Sequence, residues 1–138
     1  MAVPPIGPGG VHHIAIQCHD LEGMVGFYNK VLRLPVDRQW PEADGEGVRS
    51  VWLRSGTSII ALERCRGSVR QQPWRSEEPG LHLLALQIFL YNRDKWHAWL
   101  AHWGVPVVLE TAWTMYIEDP EGNRIGLSHF PEEAEATR

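Results

Sequence analysis

Few side chains in this sequence combine a reactive group with a position that could use it. His13 is the first. It lies in Val11-His12-His13-Ile14-Ala15-Ile16-Gln17-Cys18, a stretch that returns as Leu81-His82-Leu83-Leu84-Ala85-Leu86-Gln87-Ile88. His12, Ala15 and Gln17 recur at His82, Ala85 and Gln87, seventy positions on, whereas Leu83 stands where the first copy has His13. An imidazole on a strand can ligate a metal or relay a proton. Paired with Glu63, it could remove a proton while the carboxyl returns one. No spacing suggests a nucleophile triad, and no Gly-rich phosphate loop is present. His19, His97, His102 and His129 read as solvent-facing or edge positions without chemistry.

The elements around these residues follow from periodicity. Residues 11–18 alternate as a strand, with Ile14, Ile16 and Cys18 on one face and His13, Ala15 and Gln17 on the other. That pattern suits a sheet with helices behind and a cavity in front. Asp20 can cap a helix, and Leu21, Met24, Val25, Tyr28, Val31 and Leu32 follow at helical spacing until Pro35. Three strands are predicted over 36–40, 48–54 and 57–64. The stretch 66–80, with two prolines and mixed charges, reads as a linker. The second half repeats the order. A strand over 81–89 leads to a helix capped by Asn92 and ended by Gly104. Strands over 105–109, 113–118 and 123–130 follow, the last two joined by the turn Asp119-Pro120-Glu121-Gly122. Residues 1–10 form an arm, 11–65 and 81–130 the two units, and 131–138 a polar tail. Such a repeat is an internal duplication, each copy covering the other's open face.

Composition narrows the function classes. The 138 residues make one domain's worth of chain, with an ordinary apolar share of 43%. A formal charge of −4 argues against a nucleic-acid partner. The loose basic cluster Arg64, Arg66 and Arg70 reads as a solvated loop rather than an anion site. No apolar run approaches the roughly 20 residues that span a bilayer, and the N-terminus lacks a signal core. Two cysteines make no disulfide framework, Cys18 reads as a small buried residue, and the expected compartment is the cytoplasm.

The element order, His13 in the first strand, Phe27-Tyr28-Asn29-Lys30-Val31-Leu32, Gly104-Val105-Pro106-Val107 and Asp119-Pro120-Glu121-Gly122-Asn123 together resemble the vicinal oxygen chelate superfamily. That superfamily includes glyoxalase I, extradiol dioxygenases, methylmalonyl-CoA epimerase, fosfomycin-resistance transferases and bleomycin-binding resistance proteins. The resemblance implies an α+β fold of two tandem βαβββ modules whose mixed sheets curl into cups, with the helices outside, and commonly a homodimer. It places the family's metal ligands at His13, Ala61, Leu83 and Gly126. Only His13 can bind a metal, and a divalent ion needs about three donors. Glu63, two residues past Ala61, is a conceivable substitute that still leaves a ligand missing, and Ser128 is a poor one.

By parity the cup faces carry His13, Ala15, Gln17, Ala61, Glu63, Leu83, Ala85, Gln87, Arg124, Gly126 and Ser128. Small residues at 15, 61, 85 and 126 leave volume, and a few polar groups supply anchors, as in a ligand pocket. Of seven tryptophans, Trp96, Trp99 and Trp103 share a helical stripe and are expected to pack on the sheet. Trp52, Trp113 and Trp40 lie on strands of unsettled parity, and one or two of them can line the cup and stack on a planar ligand. Trp74 in the linker is a candidate lid or interface residue. The expected protein is a homodimer that binds a small, partly planar organic molecule without metal or other cofactor. Its ligand-binding residues are Gln17, Gln87, Ala61, Leu83, Gly126, Arg124, Trp52 and Trp113. The alternative is an enzyme of glyoxalase, isomerase or dioxygenase type, using Zn, Ni, Mn or Fe on His13, or His13 and Glu63 without metal. A third class is a structural protein with filled cups. No membrane partner is expected.

Overall fold

The computed structural model describes residues 2–67 and 79–135. Trp74 and Arg70 lie outside the described residues. The elements run β1 (His13–Cys18), α1 (Leu21–Gly26, continuing through a π-helical turn, Phe27–Val31), β2 (Val36–Pro41), β3 (Val48–Ser55) and β4 (Ser58–Arg64). The second half follows with β5 (Leu84–Gln87), α2 (Arg93–His102), β6 (Leu109–Glu110), β7 (Thr114–Glu118) and β8 (Arg124–Ser128). They form two four-stranded mixed sheets, ordered β1-β4-β3-β2 and β5-β8-β7-β6. In each sheet the first strand runs parallel to the last and the other neighbours are antiparallel. This is the expected pair of βαβββ units, each sheet open at both edges.

Helix α1 starts where the sequence predicts. Asp20 accepts from the Gly23 N–H at 3.1 Å. The other half adds a second acceptor: the Glu121 carboxylate takes the N–H groups of His19 and Asp20, each at 2.8 Å. A carboxylate belongs there, because the first N–H groups of a helix lack internal partners. The π-turn closes with the Leu32 N–H donating to the Phe27 carbonyl, and Trp99 Nε1 donates to the Val31 carbonyl at 2.8 Å. The two helices are thus tied to one another.

One apolar core serves both halves. It joins Leu21, Met24 and Tyr28 of α1, Leu53 and Leu62 of the first sheet, Leu100 of α2, and Met115, Ile117, Ile125 and Leu127 of the second sheet. Tyr28, fully buried, donates its hydroxyl to Asp119 Oδ2 at 2.7 Å. Asp119 also accepts from the Glu121 and Asn123 N–H groups and from Asn123 Nδ2. The turn that follows has Gly122 at φ 83°, its N–H bonded to the Asp119 carbonyl, the left-handed position for which glycine is suited.

Several expectations need correction. Asn92 sits at the start of α2 but makes no side-chain cap; a 3₁₀ turn, Leu90–Asn92, leads into the helix instead. Strand β6 begins at Leu109 rather than near 105. Gly104 (φ 69°) and Val105 are still completing the helix end, donating to the Ala101 and Leu100 carbonyls, which is a Schellman closure, and Pro106 has no N–H for a ladder. Strand β5 is shorter than predicted because its partner β8 reaches only Leu84 to Gln87. Of the helical tryptophans, Trp96 packs on the core, Trp99 reaches α1, and Trp103 is 42% exposed. His129 is buried, not at an edge. Its ring lies between Arg93 Nη1 at 2.7 Å and the Glu132 carbonyl at 2.6 Å. Its parity with Ile125 and Leu127, the core-facing residues of β8, carried that information.

Candidate functional site

The face of each sheet turned away from the helices carries the sequence-predicted site residues. On β1, His13, Ala15 and Gln17 are exposed. Their partners on β4 are Ile59, Ala61 and Glu63, and β3 adds Ser50 opposite Glu63 and Trp52 opposite Ala61. Trp40 of β2 pairs with Ser50. One face therefore collects His13, Trp52, Trp40 and Glu63.

Trp52 is the centre of this group. The His13 ring stacks on it with centroids 5.5 Å apart and planes 21° from parallel. Trp40 meets it edge-on at 5.6 Å and 68°. The two indoles thus form a corner, an arrangement that aromatic quadrupoles favour. His12 approaches His13 with Nδ1 to Nδ1 at 3.0 Å, so one ring donates and the other accepts. A pocket of about 530 Å³ opens beside the corner, lined by Trp40, Glu42, Arg49, Ser50, Trp52 and Glu63.

The register separates two residues that the sequence reading joined. His13 stands opposite Ile59, and Glu63 stands opposite Gln17. Four residues of strand rise, about 13 Å, separate their backbones, with Trp52 between them in register. They flank the indole rather than touching each other. Ala61, directly across from Trp52, is fully buried, so it contributes no open volume.

The second sheet is organised differently. A side chain at Gly126 would put its Cβ 3.2 Å from Thr114 Cγ2 and 3.6 Å from Leu83 Cδ1. Thr114 therefore crowds the space that glycine leaves, while Leu83 and Ala85 border it at ordinary contact distance. Gln87 is exposed opposite Ser128, and Ser128 Oγ accepts from the Thr114 hydroxyl. Arg124 turns to His82. Trp113 precedes β7 and packs against Phe130, 6.0 Å between centroids. Gln87, Leu83, Gly126, Arg124 and Trp113 thus belong to the second sheet, apart from the Trp52 corner. Trp40, which the sequence placed on a strand of unsettled parity, joins the site because irregular pairing flanks it in β2.

The donor set can be tested against a divalent ion. His13 has Ile59 and Ala61 as its nearest cup-facing residues on β4, and the equivalent positions of the second sheet are Leu83 and Gly126. Among the described residues, no group of three or more His, Cys, Asp or Glu side chains comes together. The His12–His13 pair offers two nitrogens, one short of the usual minimum of three protein ligands. These residues do not fit a protein-held divalent ion. The basic cluster is likewise no anion site at Arg64, which pairs with Glu22 at 2.5 Å and is held further protonated by that carboxylate.

Two βαβββ units of matching strand order define a paired-module fold. The chain belongs to the Glyoxalase/Bleomycin resistance protein/Dioxygenase superfamily, which it matches over residues 10–127. A glyoxalase/dioxygenase from Nostoc punctiforme superposes with a TM-score of 0.77 at 19% identity, covering 96% of this chain and 100% of that one. A lactoylglutathione lyase from Agrobacterium tumefaciens gives 0.67 at 20% identity, covering 89% and 95%. The fosfomycin resistance protein FosX from Listeria monocytogenes, complexed with Mn(II) and sulfate, gives 0.69 at 15% identity, covering 89% and 93%. These likenesses establish the fold. No curated protein matches the sequence significantly. Among the described residues no helix is long and apolar enough to cross a membrane.

Proposed function

We propose that this protein binds a small, partly planar organic molecule on the cup face of its first sheet, without the divalent ion its superfamily commonly uses. The observation that carries this reading is the aromatic corner: His13 stacked on Trp52, Trp40 set against it, and a pocket of about 530 Å³ alongside. Flat rings gain most from such a surface because area and quadrupole both contribute. Gln17 and Glu63 add hydrogen-bonding groups at one end. Sequestration needs nothing further.

The protein acts as a homodimer in the cytoplasm. Both β1 and β5 are edge strands, and Ala15, Gln17, Ala85 and Gln87 on them are exposed. Open edges of this kind invite pairing, and a second copy would bring a second-sheet cup, with Gln87 and Arg124, to the Trp52 corner. The free thiols Cys18 and Cys65 suit a reducing compartment.

Tryptophan fluorescence titrated with a panel of planar metabolites and antibiotics tests the binding. Saturable quenching that is lost in Trp52→Leu is the expected result, and no quenching by any compound overturns the reading. Elemental analysis of the purified protein supplies the second arm. Stoichiometric Zn, Ni, Mn or Fe would replace this function with a metal-dependent lyase, isomerase or dioxygenase.

A second reading draws on the placement of His13 and Glu63 on either side of Trp52. A substrate lying on the indole would have an imidazole at one end and a carboxyl at the other, an arrangement suited to metal-free proton transfer. Exchange of a substrate C–H with solvent deuterium, abolished in both His13→Ala and Glu63→Gln, would select it.

A further inference from the structure

Resting on that binding site, we infer that its ligand is an organic cation, an alkylated ammonium seated in the Trp40–Trp52 corner. The two indoles meet edge to face at 68° with centroids 5.6 Å apart, and both line the pocket, so electron-rich ring faces border it. Such faces attract ammonium groups through the ring quadrupole, and alkylated ammonium ions fit best because they desolvate cheaply.

The charges around the corner favour the same occupant. Glu42 and Glu63 line the pocket with Arg49, so two carboxylates oppose one guanidinium. The nearby acids that do form ion pairs are Asp37, with Arg38 and Arg54, and Glu22, with Arg64. Glu42 and Glu63 make no such pair among the described residues, which leaves both carboxylates available to a ligand.

The protein already uses one of these rings in this way. The Arg38 guanidinium carbon lies 5.6 Å from the Trp40 ring centroid, and Asp37 pairs with that arginine at 3.1 Å. Trp40 therefore already carries a cation on one side, whose charge Asp37 offsets only in part because it also pairs with Arg54. Trp40 is 41% exposed, open enough to receive a ligand from solvent. An uncharged molecule of the same shape would gain the contact area and forgo both the quadrupole and the carboxylates.

Isothermal titration of the full chain at neutral pH with choline and with 3,3-dimethyl-1-butanol, its uncharged carbon isostere, isolates the charge. Choline should bind at least fivefold more tightly. That preference should shrink in Glu63→Gln and in Trp40→Leu, variants checked for native circular dichroism, and should fall as salt rises. Equal or weaker binding of choline to the unmutated chain overturns the inference, without need of any variant. Coumarin, a neutral planar probe, separates the two failures. Saturable coumarin binding with no preference for choline overturns the cation and leaves the pocket standing, whereas no binding of any of the three overturns both.

Discussion

The His13 imidazole lies nearly parallel to the Trp52 indole, 5.5 Å between centroids, across two strands that never pair directly, because β4 runs between them. Such a contact is worth about 0.5–1.5 kcal/mol beyond the area it covers. His13→Ala and Trp52→Leu should each destabilise the fold modestly, and the double variant should cost less than their sum. A coupling energy of about 0.5 kcal/mol or more from chemical denaturation is expected. Strict additivity would show that the stack is incidental.

Tyr28 and Asp119 join the halves through a fully buried hydroxyl. Tyr28→Phe leaves the carboxylate three donors, so the loss should be about 1–2 kcal/mol. Burial, and then the neighbouring Asp119 charge, push the Tyr28 hydroxyl well above its ordinary value. A group whose folded pKa is raised stabilises fully below its unfolded pKa and loses that contribution as pH climbs toward the folded one. The stability gap between the wild type and Tyr28→Phe should therefore narrow above about pH 10, the usual tyrosine value. A gap constant from about pH 8 to about pH 11, a range that brackets that value, would contradict this.

Glu121 reaches from the second half to the start of α1, accepting from the His19 and Asp20 N–H groups. Replacing it with Gln keeps one of the two acceptor oxygens, turns the other into an amide donor and loses the charge, whereas Ala loses both acceptors and the charge. Unfolding free energies should order wild type, Gln, Ala, with Ala lower by about 1–2 kcal/mol. Gln and Ala behaving alike would mean that the one oxygen Gln retains contributes nothing.

Cys18 is fully buried, and burial, with Glu121 and Asp119 adding to it, raises its thiol to about 12. Thiolate is the reactive form. With 5,5′-dithiobis(2-nitrobenzoate) at about pH 8, near the ordinary thiol value, the native protein should release one equivalent promptly, from the partly exposed Cys65, and a second only on unfolding. Prompt release of two would show that β1 opens readily.

Much of the architecture can be read from local pattern. The repeat about His12 and His82 located two equivalent strands, Asp20 located a helix start, and Asp119 to Gly122 located a turn. Alternation assigned His13, Ala15 and Gln17 to the cup and Ile14, Ile16 and Cys18 to the core. Those signals act between residues a few positions apart, where backbone geometry alone decides which groups can meet. The lengths of β5 and β6 were less legible, because a strand ends where its neighbour ends.

What the chain alone determined was the fold, the faces, and the shortage of metal donors beside His13. Those depend on residue type and parity, which sequence states outright. The tertiary structure decided the register. It set His13 opposite Ile59, moved Glu63 four residues along, and put Trp52 between them with Trp40 at its edge. It also brought Thr114 close against Gly126. Register and side-chain packing arise from contacts between distant strands, and no local period encodes them.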